Sequence, residues 1–453
     1  MELDLLAKYN VPGPRYTSYP TVPYWQETPP DAQKWLQMVK QSPDISSEQG
    51  GISLYIHLPY CESLCTYCGC NKRITVNHQV EEPYVAAVLT EWEIYLEALE
   101  TVPVIRDIHL GGGTPTFFSP KNLQFLIEGI VKHAIVHPEA RFGFEAHPGN
   151  TTDEHIQTLF ELGFRRISIG VQDFNEDVLK AIHRYQTYAE IDHLTAKARE
   201  IGYTSINFDL IYGLPYQSVD SIIPTIEKVI KLRPDRIAFY SYAHIPGNKA
   251  AQASFPAHAL PDALTKLTIY DTGKTMLEAA GYLDIGMDHF SLPKDDLYQA
   301  LHNGTLHRNF MGYTENNTRL QIGLGVSAIS DCWDGFVQNE KTIEAYKAKV
   351  LRKELPILKG HELNSEDLII RRHILNIMTV FETEWLNESQ VTSEFSEVIS
   401  RLRELETDGL VILEPFYLKV TEKGRSFVRN ICMAFDEKLW KSRSESALFS
   451  TTV

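Results

Sequence analysis

The sequence predicts an α/β protein: a partial (β/α)6 barrel with an N-terminal arm and a mainly helical, winged-helix-like C-terminal domain. Two observations predict this class. From Ile52 onward, short β-branched runs alternate with amphipathic segments of helical length, as in parallel βαβ units. The chemically distinctive residues follow those runs, where barrel proteins carry their functional loops. The predicted domains are residues 1–48 (arm or lid), 49–330 (barrel with a substrate-site extension) and 331–453 (C-terminal domain).

The composition is that of an ordinary globular protein and excludes several classes. The chain has 453 residues, of which 43% are hydrophobic and 23% are charged. A formal net charge of −16 argues against a general nucleic-acid surface, because phosphate binding depends on Lys and Arg. No apolar run is long enough to span a bilayer, and the N-terminus does not resemble a signal peptide. We therefore expect a cytoplasmic protein.

The N-terminal arm is rich in proline and aromatic residues. Residues 8–25 read KYNVPGPRYTSYPTVPYW, which favours an extended segment over a helix. Two interpretations remain open. The arm is either an ordered tail packed on the core, or a lid over an active site that offers Arg15 to a substrate carboxylate.

Six β-branched runs are the predicted strands, at residues 52–58, 104–110, 141–146, 165–171, 204–211 and 235–242. Five amphipathic segments are the predicted helices, at residues 81–100, 119–136, 152–162, 188–202 and 218–232. Ser119 and Ser218 are suited to cap two of them, because a serine hydroxyl accepts a hydrogen bond from a free N–H group of the first turn. Right-handed crossovers should make the strands parallel.

Polar and glycine-rich residues follow each predicted strand. They are, in chain order, the cysteines after the first strand, GGGTPT (111–116) after the second, Glu145, Gln172 with Asp173, Asp209, and Ala243 with His244. Glycines lack the Cβ that would shield backbone N–H groups, so GGGTPT could approach a ligand closely. Glu145 and Asp209 could either cap the following helices or hold a ligand.

Four cysteines, Cys61, Cys65, Cys68 and Cys70, lie within ten residues. The first three have the spacing C-x-x-x-C-x-x-C. Three interpretations compete: a zinc site completed by Cys70 or His57, a disulfide, which a reducing compartment disfavours, and an iron–sulfur cluster. Such clusters normally have four thiolate ligands, so three cysteines would leave one iron open for chemistry.

The chain becomes helical from about Ser365, and a hairpin at residues 410–420 precedes a last helix at 424–435. Helix, helix and hairpin indicate a winged-helix arrangement, which elsewhere binds DNA. The second helical stretch, residues 389–409, includes the predicted recognition helix SEFSEVISRLRELETDG (393–409), which carries more acid than base and would repel phosphates.

The cysteine loop, with aromatic Tyr67 before its third cysteine, resembles that of radical S-adenosylmethionine (SAM) enzymes. Further motifs, among them NVPGPRYTSYPT, HLGGGTPT, GVQDFN, NFDLIYGLP, GMDHF and HRNFMGYT, make nearly the whole chain similar to the oxygen-independent coproporphyrinogen III oxidase family. The resemblance implies a radical SAM barrel with a [4Fe-4S] cluster on Cys61, Cys65 and Cys68. The fourth iron would be chelated by SAM, whose reductive cleavage yields a 5'-deoxyadenosyl radical.

The resemblance also implies two SAM molecules. The first would contact Tyr55, Gly112, Glu145 and Ile329. The second would contact Tyr67, Gly113, Thr114, Gln172, Arg184, Asp209 and Ala243. The guanidinium of Arg184 is suited to pair with a methionyl carboxylate through a bidentate fork.

The implied reaction is oxidative decarboxylation of two propionates of coproporphyrinogen III to vinyl groups. Candidate substrate-binding residues are Arg15, His57, His307, Arg308 and Met311. Adjacent His307 and Arg308 could meet a carboxylate through charge-assisted hydrogen bonds. The sequence departs from the family pattern at Met311, where glutamine is expected, at His147, where aspartate is usual, and at Tyr67, which replaces phenylalanine.

The implied partners are a tetrapyrrole substrate and a small electron-transfer protein such as flavodoxin or ferredoxin, with no nucleic acid, no membrane span and a monomeric state. Two rival hypotheses are a haem or tetrapyrrole-binding chaperone without oxidase activity, and a zinc-stapled scaffold with a DNA-binding winged helix. The roles of Cys70, Cys332 and Cys432 stay open, although the last two are expected to be core residues.

Overall fold

The computed structural model describes residues 3–26, 28, 30–46, 50–244, 251–252, 255–385, 392–442 and 449–452. No helix in these segments is both long enough and apolar enough to cross a membrane.

Six parallel strands form the centre of the fold, in the order in which they occur along the chain. They are Ile52–Leu58, Val104–Gly112, Ile135–Ala146, Phe164–Gln172, Ser205–Tyr212 and Arg236–Ser241, called here the first to sixth strands. Each pairs in parallel with the next. The first and sixth strands do not pair with each other, so the barrel is partial, as the sequence predicts.

Helices connect the strands, and five of them correspond to predicted segments: Glu81–Leu99, Pro120–Val131, Asp153–Glu161, Tyr188–Ile201 and Val219–Leu232. Ser119 and Ser218 cap two of them as expected, each accepting a hydrogen bond from a backbone N–H group of the first turn. The second predicted helix was too long. Ile135 and Val136 start the third strand instead, where they pair with Val104 and Ile105. Further helices were not predicted, among them Glu176–Ala181, Ala263–Ala279 and Ile343–Leu351.

The sheet extends beyond the six parallel strands at both edges and has twelve strands in the described part of the chain. Strands Leu283–Gly286 and His289–Ser291 lie beside the sixth strand, and Gln321–Leu324, Ile329–Asp331, Gly335–Asn339 and Ile357–Glu362 continue from the first. The predicted domain boundary between residues 330 and 331 therefore falls inside the sheet. Gln321–Leu324 covers the edge of the first strand by parallel pairing, and the next three strands add antiparallel pairs, so the chain leaves the sheet only after Glu362.

The C-terminal unit combines helices with a small sheet. Its elements are Ser365–Val380, Glu382–Glu384, Phe395–Thr407, Val411–Glu414, Tyr417–Val420, a 3-10 turn at Lys423–Phe427, Val428–Phe435 and Glu437–Lys441. The three strands form one antiparallel sheet, which gives the predicted winged-helix-like arrangement. The last predicted helix starts later than expected, at Val428. The start of the second predicted helical stretch, residues 389–391, lies outside the described residues.

The N-terminal arm packs on this C-terminal unit. Leu5, Tyr9, Tyr16 and Tyr19 belong to the same hydrophobic cluster as the C-terminal helices. The arm is not wholly extended, because Leu3–Tyr9 and Ala32–Lys40 are helical. Residues 47–49, where the first predicted domain ends, lie outside the described residues.

Candidate active site

The cysteine loop follows the first strand and is fixed at several points. Tyr60–Cys61 forms a two-residue strand that pairs in parallel with Arg73–Ile74. In the middle of the loop, Thr66 donates through its N–H and its hydroxyl to the carbonyl oxygens of Ile182 and Ala181, both at 3.2 Å. Both anchors hold the loop at the carboxyl end of the first strand.

The cysteine thiols differ in environment. Cys61 is buried, Cys65 and Cys68 are half-buried, and Cys70 is exposed. Thr114 Oγ1 donates to Cys61 Sγ at 3.3 Å, and Arg184 Nη1 donates to Cys65 Sγ at 3.8 Å. A hydrogen bond from Cys70 lowers the pKa of the Cys68 thiol to about 5. Burial instead raises the pKa of the Cys61 thiol to about 11, despite its hydrogen bond from Thr114, so a bound metal would itself have to stabilise this thiolate.

This donor set fits an iron–sulfur cluster better than zinc. Among the described residues, no three His, Cys, Asp or Glu side chains lie close enough together to ligate a single metal ion. A structural zinc site needs four ligands around one ion. A [4Fe-4S] cluster instead distributes its thiolates over separate iron atoms. Cys61, Cys65 and Cys68 would each hold one iron, and the fourth iron would remain open.

The glycine run after the second strand packs against the end of the first strand. Gly112 has a φ of +112°, and a Cβ at this position would lie 2.7 Å from the ring of His57. A Cβ on Gly113 would lie 2.6 Å from the carbonyl carbon of Pro59. Glycine is required here for close packing of protein on protein.

The backbone N–H groups of this run are already used within the protein. Gly112, Gly113 and Thr114 donate, respectively, to Glu145 Oε2 at 3.2 Å, to the Leu58 carbonyl at 2.8 Å and to the Tyr60 carbonyl at 2.9 Å. The expectation of N–H groups open to a ligand is therefore wrong in this structure. The glycines instead shape the site by bringing the first and second strands together and by orienting Glu145.

Gly112→Ala should destabilise the protein by about 2–4 kcal/mol, because it combines an unfavourable φ with a clash against a buried ring. Urea unfolding of the cofactor-free chain measures this loss. Gly149→Ala is a matched control, since its Cβ would lie 3.5 Å from the His147 ring, an ordinary contact at an unstrained φ. Equal stabilities of the two variants would contradict the packing argument.

A polar cavity of about 160 Å³ lies inside the ring of parallel strands. Part of its lining consists of polar side chains carried by the second to sixth strands, namely His109, Glu145, Ser168, Asn207, Asp209 and Tyr240. Asp209 accepts hydrogen bonds from Ser168 Oγ at 2.9 Å and from Asn207 Nδ2 at 2.8 Å. Burial, together with the nearby carboxylate of Glu145, raises the pKa of Asp209 to about 6. Two carboxylates thus share one enclosed space and favour a ligand with positive or hydrogen-donating groups.

Gln172 and Arg184 lie beside each other at the end of the fourth strand. Gln172 has a φ of +67°, which is uncommon for a residue with a side chain, and it lies at a register shift in the pairing with the fifth strand. Arg184 donates from Nε to Gln186 Oε1 at 2.8 Å and from Nη2 to the Gly170 carbonyl. These bonds fix the guanidinium so that its Nη1 faces the cysteine loop.

The remaining predicted cofactor residues fall into two groups. Gln252 Nε2 donates to the carbonyl oxygens of Tyr67 and Ala243, at 3.3 Å and 3.1 Å, and so joins the cysteine loop to the end of the sixth strand. Tyr55 lies on the first strand, and its ring stacks on the ring of His109 from the second strand. Ile329 lies in the strand Ile329–Asp331, which Gln321–Leu324 separates from the first strand.

Comparison with known proteins identifies the family. Residues 55–229 match the model of the radical SAM superfamily. The oxygen-independent coproporphyrinogen III oxidase of Pseudomonas aeruginosa is 39% identical over 447 residues, which cover 97% of this chain and 96% of that protein. The enzyme of the same name from Escherichia coli is 37% identical over 460 residues, covering 100% and 98%. The chain belongs to the family of oxygen-independent coproporphyrinogen III oxidases.

A solved structure agrees with this assignment. The coproporphyrinogen III oxidase of Escherichia coli, described as a radical SAM enzyme, superposes with a TM-score of 0.89 at 34% identity and covers 97% of this chain and 99% of its own. Radical SAM enzymes use a [4Fe-4S] cluster and SAM, so this member of the oxidase family has the same cofactor types and is an oxidoreductase.

In this coproporphyrinogen III oxidase family member, His57 is engaged within the protein. Its Nε2 lies 2.8 Å from the Asn71 carbonyl and its Nδ1 lies 3.2 Å from the Tyr55 hydroxyl. Burial lowers the pKa of His57. The neutral ring of His57 makes hydrogen-bond contacts through both nitrogens and packs on Gly112. It is therefore suited to support the site and not to bind a carboxylate as a cation.

His307 and Arg308 do not act as a pair. They are successive residues of the strand His307–Asn309, so their side chains point to opposite faces. Burial, with Arg371 nearby, lowers the pKa of His307 to about 4 and keeps it neutral. Arg308 lies on the other face, over the ring of Tyr313 at 4.6 Å. The expected joint contact of both residues with one carboxylate is therefore wrong.

Arg308 and Arg15 lie close together at the junction of the barrel and the arm. Arg308 Nη2 donates to the Arg15 carbonyl at 3.4 Å, while Arg308 Nε and Nη1 are buried without a hydrogen-bond partner among the described residues. Arg15 reaches the Ser241 carbonyl at 2.7 Å and Asp288 Oδ2 at 3.4 Å. The arm thereby contacts the end of the sixth strand.

Two of the three departures from the family pattern, Met311 and His147, lie near the site. Met311 lines the polar cavity. His147 is neutral, because burial and the neighbouring Arg184 lower its pKa to about 3. Neither residue supplies the charge or amide group expected there.

The floor of the polar cavity was not predicted from the sequence. Five buried charged residues close it below: Asp107, Arg166, Arg236, Asp295 and Glu315. The arginines lie near the starts of the fourth and sixth strands, in the runs RRISIGV and DRIAFYSY. The available signal was an arginine inside a β-branched run. Such a run predicts a buried strand, and a charged side chain on a buried strand needs a partner of opposite charge.

Proposed function

We propose that the chain catalyses the oxygen-independent oxidative decarboxylation of two propionates of coproporphyrinogen III to vinyl groups, giving protoporphyrinogen IX in haem biosynthesis. The main support is its full-length relationship to oxidases of this name. The spaced thiols and the polar cavity, at the carboxyl ends of the same strands, agree with it.

Two SAM molecules bind side by side in this proposal. The first contacts Tyr55, Gly112, Glu145 and Ile329. The second contacts Tyr67, Gly113, Thr114, Gln172, Arg184, Asp209 and Ala243. The bridge from Gln252 to Tyr67 and Ala243 supports the second group, because it unites residues that are distant in sequence. When bound, the cluster and SAM supply a 5'-deoxyadenosyl radical.

The protein's own residues position the reactants and exclude water. Glu145, held by the Gly112 N–H group, is placed to accept a hydrogen bond from a cofactor amine or ribose. Asp209 can accept such a bond or, because its pKa is near 6, give one. Arg184 Nη1 faces the thiol of Cys65 and is placed to pair with a methionyl carboxylate. Most of the catalytic contribution then comes from orientation.

The substrate carries four carboxylates, which require cationic groups. Arg308 is the strongest candidate because its guanidinium is buried with two donor atoms lacking a partner among the described residues. Arg15, on the arm, supplies a second cation and closes the site as a lid. The proposal assigns Met311 to the lining of the site and the neutral side chains of His307 and His57 to its support.

Arg308→Met should raise the KM for coproporphyrinogen about tenfold, because it removes a charge-assisted hydrogen bond to a carboxylate. The thermal midpoint should stay unchanged or rise, since an unpaired buried charge destabilises the folded chain. Arg403→Met is the control, as Arg403 is exposed and pairs with Glu406 at 3.0 Å. An unchanged KM together with a lower midpoint would make Arg308 a structural residue.

We further propose that the protein is a cytoplasmic monomer and that it receives electrons from a small redox protein such as flavodoxin or ferredoxin. An outside donor is needed, because three thiols and one cluster provide no continuing source of electrons. The proposed cytoplasmic location agrees with the finding that no helix in the described segments could cross a membrane.

The decisive experiment is an anaerobic assay of the reconstituted chain with reductant, SAM and coproporphyrinogen III. Formation of two CO2 per protoporphyrinogen IX supports the proposal. Absence of CO2 from a sample that contains iron and sulfide refutes it. Stoichiometric binding of haem without turnover would instead indicate a tetrapyrrole-binding chaperone.

A further inference from the structure

A second, smaller cavity of about 60 Å³ lies between the arm, the helix Ala263–Ala279 and the C-terminal helix Val428–Phe435. Its charged lining consists of Arg15, Lys266, Arg425, Arg429 and Asp288. We call it the cationic cavity. Four basic side chains against one carboxylate give it a large excess of positive charge.

Lys266 is built into this cavity. A Cβ on Gly213, whose φ is +82°, would lie 2.8 Å from Lys266 Cε, so the glycine makes room for the lysine stem. The ammonium group donates to the Tyr242 carbonyl at 3.2 Å and forms no ion pair among the described residues. Burial, together with Arg15 and Arg429, lowers the pKa of Lys266 to about 8.

Arg429 also lacks a carboxylate partner among the described residues. It is buried and donates only to backbone carbonyls, namely those of Gly13, Pro14, Thr451 and Thr452. These bonds tie the arm to the C-terminal segment but leave the positive charge uncompensated. Burial and the nearby Arg15 lower the pKa of Arg429 to about 10.

The other charged groups do not balance these cations. Asp288 is shared, with Oδ1 3.0 Å from His289 Nδ1 and Oδ2 3.4 Å from Arg15 Nη1. Arg425 is directed to Asp284, at 3.9 Å from its carboxylate and 3.1 Å from its carbonyl oxygen. Buried charges in proteins are normally paired, so this cavity is complete only with an anion.

The cationic cavity adjoins the polar cavity. His289, bonded to Asp288, lines the polar cavity, and its ring packs edge-on against Tyr240, which lines it too. Arg15 connects the cationic cavity to the end of the sixth strand through the Ser241 carbonyl. An extended ligand held in the polar cavity could therefore place an acidic arm between Lys266 and Arg15.

We propose that the cationic cavity binds one carboxylate of the tetrapyrrole substrate, a propionate on a ring other than the reacting one. This inference rests on the proposed function and adds Lys266 and Arg429 as specificity-determining residues. Lys266 supplies a charge-assisted hydrogen bond to the carboxylate. A volume of about 60 Å³ accommodates a carboxylate group, given the ~30 Å³ that a water molecule occupies in the liquid.

The test uses the full chain and coproporphyrin III, the oxidised tetracarboxylate, as a probe that measures binding separately from turnover. Lys266→Met keeps the stem over Gly213 and removes the charge. We expect it to weaken binding about tenfold or more, whereas Lys266→Arg restores most of the affinity. The tetramethyl ester should bind the parent and Lys266→Met equally. Lys274→Met is the control, because Lys274 lies two turns along the same helix and pairs with Asp284 at 2.7 Å.

Each outcome has a defined meaning. Equal affinity of the parent and a folded Lys266→Met variant for coproporphyrin III overturns the inference. If inorganic phosphate raises the thermal midpoint of the parent but not of Lys266→Met, while porphyrin affinity is unchanged, the cavity binds a free anion and the substrate assignment is wrong. Lys266-dependent porphyrin binding without CO2 release from coproporphyrinogen would refute the proposed function and leave the carboxylate site intact.

Discussion

Cys65→Ala should lose both its iron and its activity, with turnover reduced at least about a thousandfold. In the proposed assignment, three thiols from one loop, Cys61, Cys65 and Cys68, are the protein ligands for the cluster. Two thiolates cannot hold three irons of a [4Fe-4S] cluster. Iron and acid-labile sulfide per chain, measured after anaerobic reconstitution, test this directly, and CO2 release follows the activity.

Cys332→Ala is the matched control. Cys332 is a buried, isolated thiol whose sulfur lies 3.6 Å from the Gly335 carbonyl, away from the cysteine loop. Its replacement should keep the iron content and cost about 1 kcal/mol of stability, as expected for a small buried side chain. If Cys65→Ala contains as much iron per chain as Cys332→Ala, the assignment of Cys65 as a cluster ligand is wrong. The proposed radical mechanism would then lose its support.

Glu315→Gln should destabilise the fold by about 3–5 kcal/mol at pH 7, the usual result of removing one partner of a buried ion pair. Glu315 accepts from Arg166 at 2.7 Å and from Arg236 at 3.4 Å beneath the polar cavity. An amide has no charge to balance the two guanidinium groups. Asp107 and Asp295 remain, but each is already paired with one arginine.

The same carboxylate predicts an acid dependence. The two arginines lower the pKa of Glu315 from 4.5 to about 2, so its stabilisation is fully present above pH 4.5 and is lost as the pH falls towards 2. The difference in unfolding free energy between the parent and Glu315→Gln should therefore shrink below pH 4.5. Denaturant unfolding across this range measures the difference. A constant difference would show that the arginines do not hold Glu315 ionised.

Glu354→Gln is the surface control for this experiment. Glu354 pairs with Arg352 at 2.8 Å, and both side chains are more than half exposed, at 53% and 57%. Solvent screens such a pair, so no measurable change is expected. A comparable loss of unfolding free energy in both variants would mean that burial does not determine how much the ion pairs of Glu315 stabilise the fold.

Much of the fold could be predicted because its signals are local. Strands at residues 52–58 and 104–110 were found within two residues of their observed ends, since each is a β-branched run bounded by polar turns. The cysteine spacing and the polar residues at strand ends were equally visible. Alternation of strand and helix then fixed a parallel arrangement, because βαβ units permit little else.

The tertiary structure decided what depends on residues distant in the chain. The strand Gln321–Leu324 joins the first strand across more than 260 residues of sequence, and no local pattern predicts that pairing. Gly112 is fixed by the His57 ring, His307 and Arg308 are separated by strand geometry, and Lys266 meets Arg429 only when the arm and the C-terminal helix are in place. Local patterns in the chain were enough to show which chemical groups the protein has and which strands carry them. Packing alone decided which of those groups face one another, because contact and burial are set by the folded neighbours and not by position along the chain.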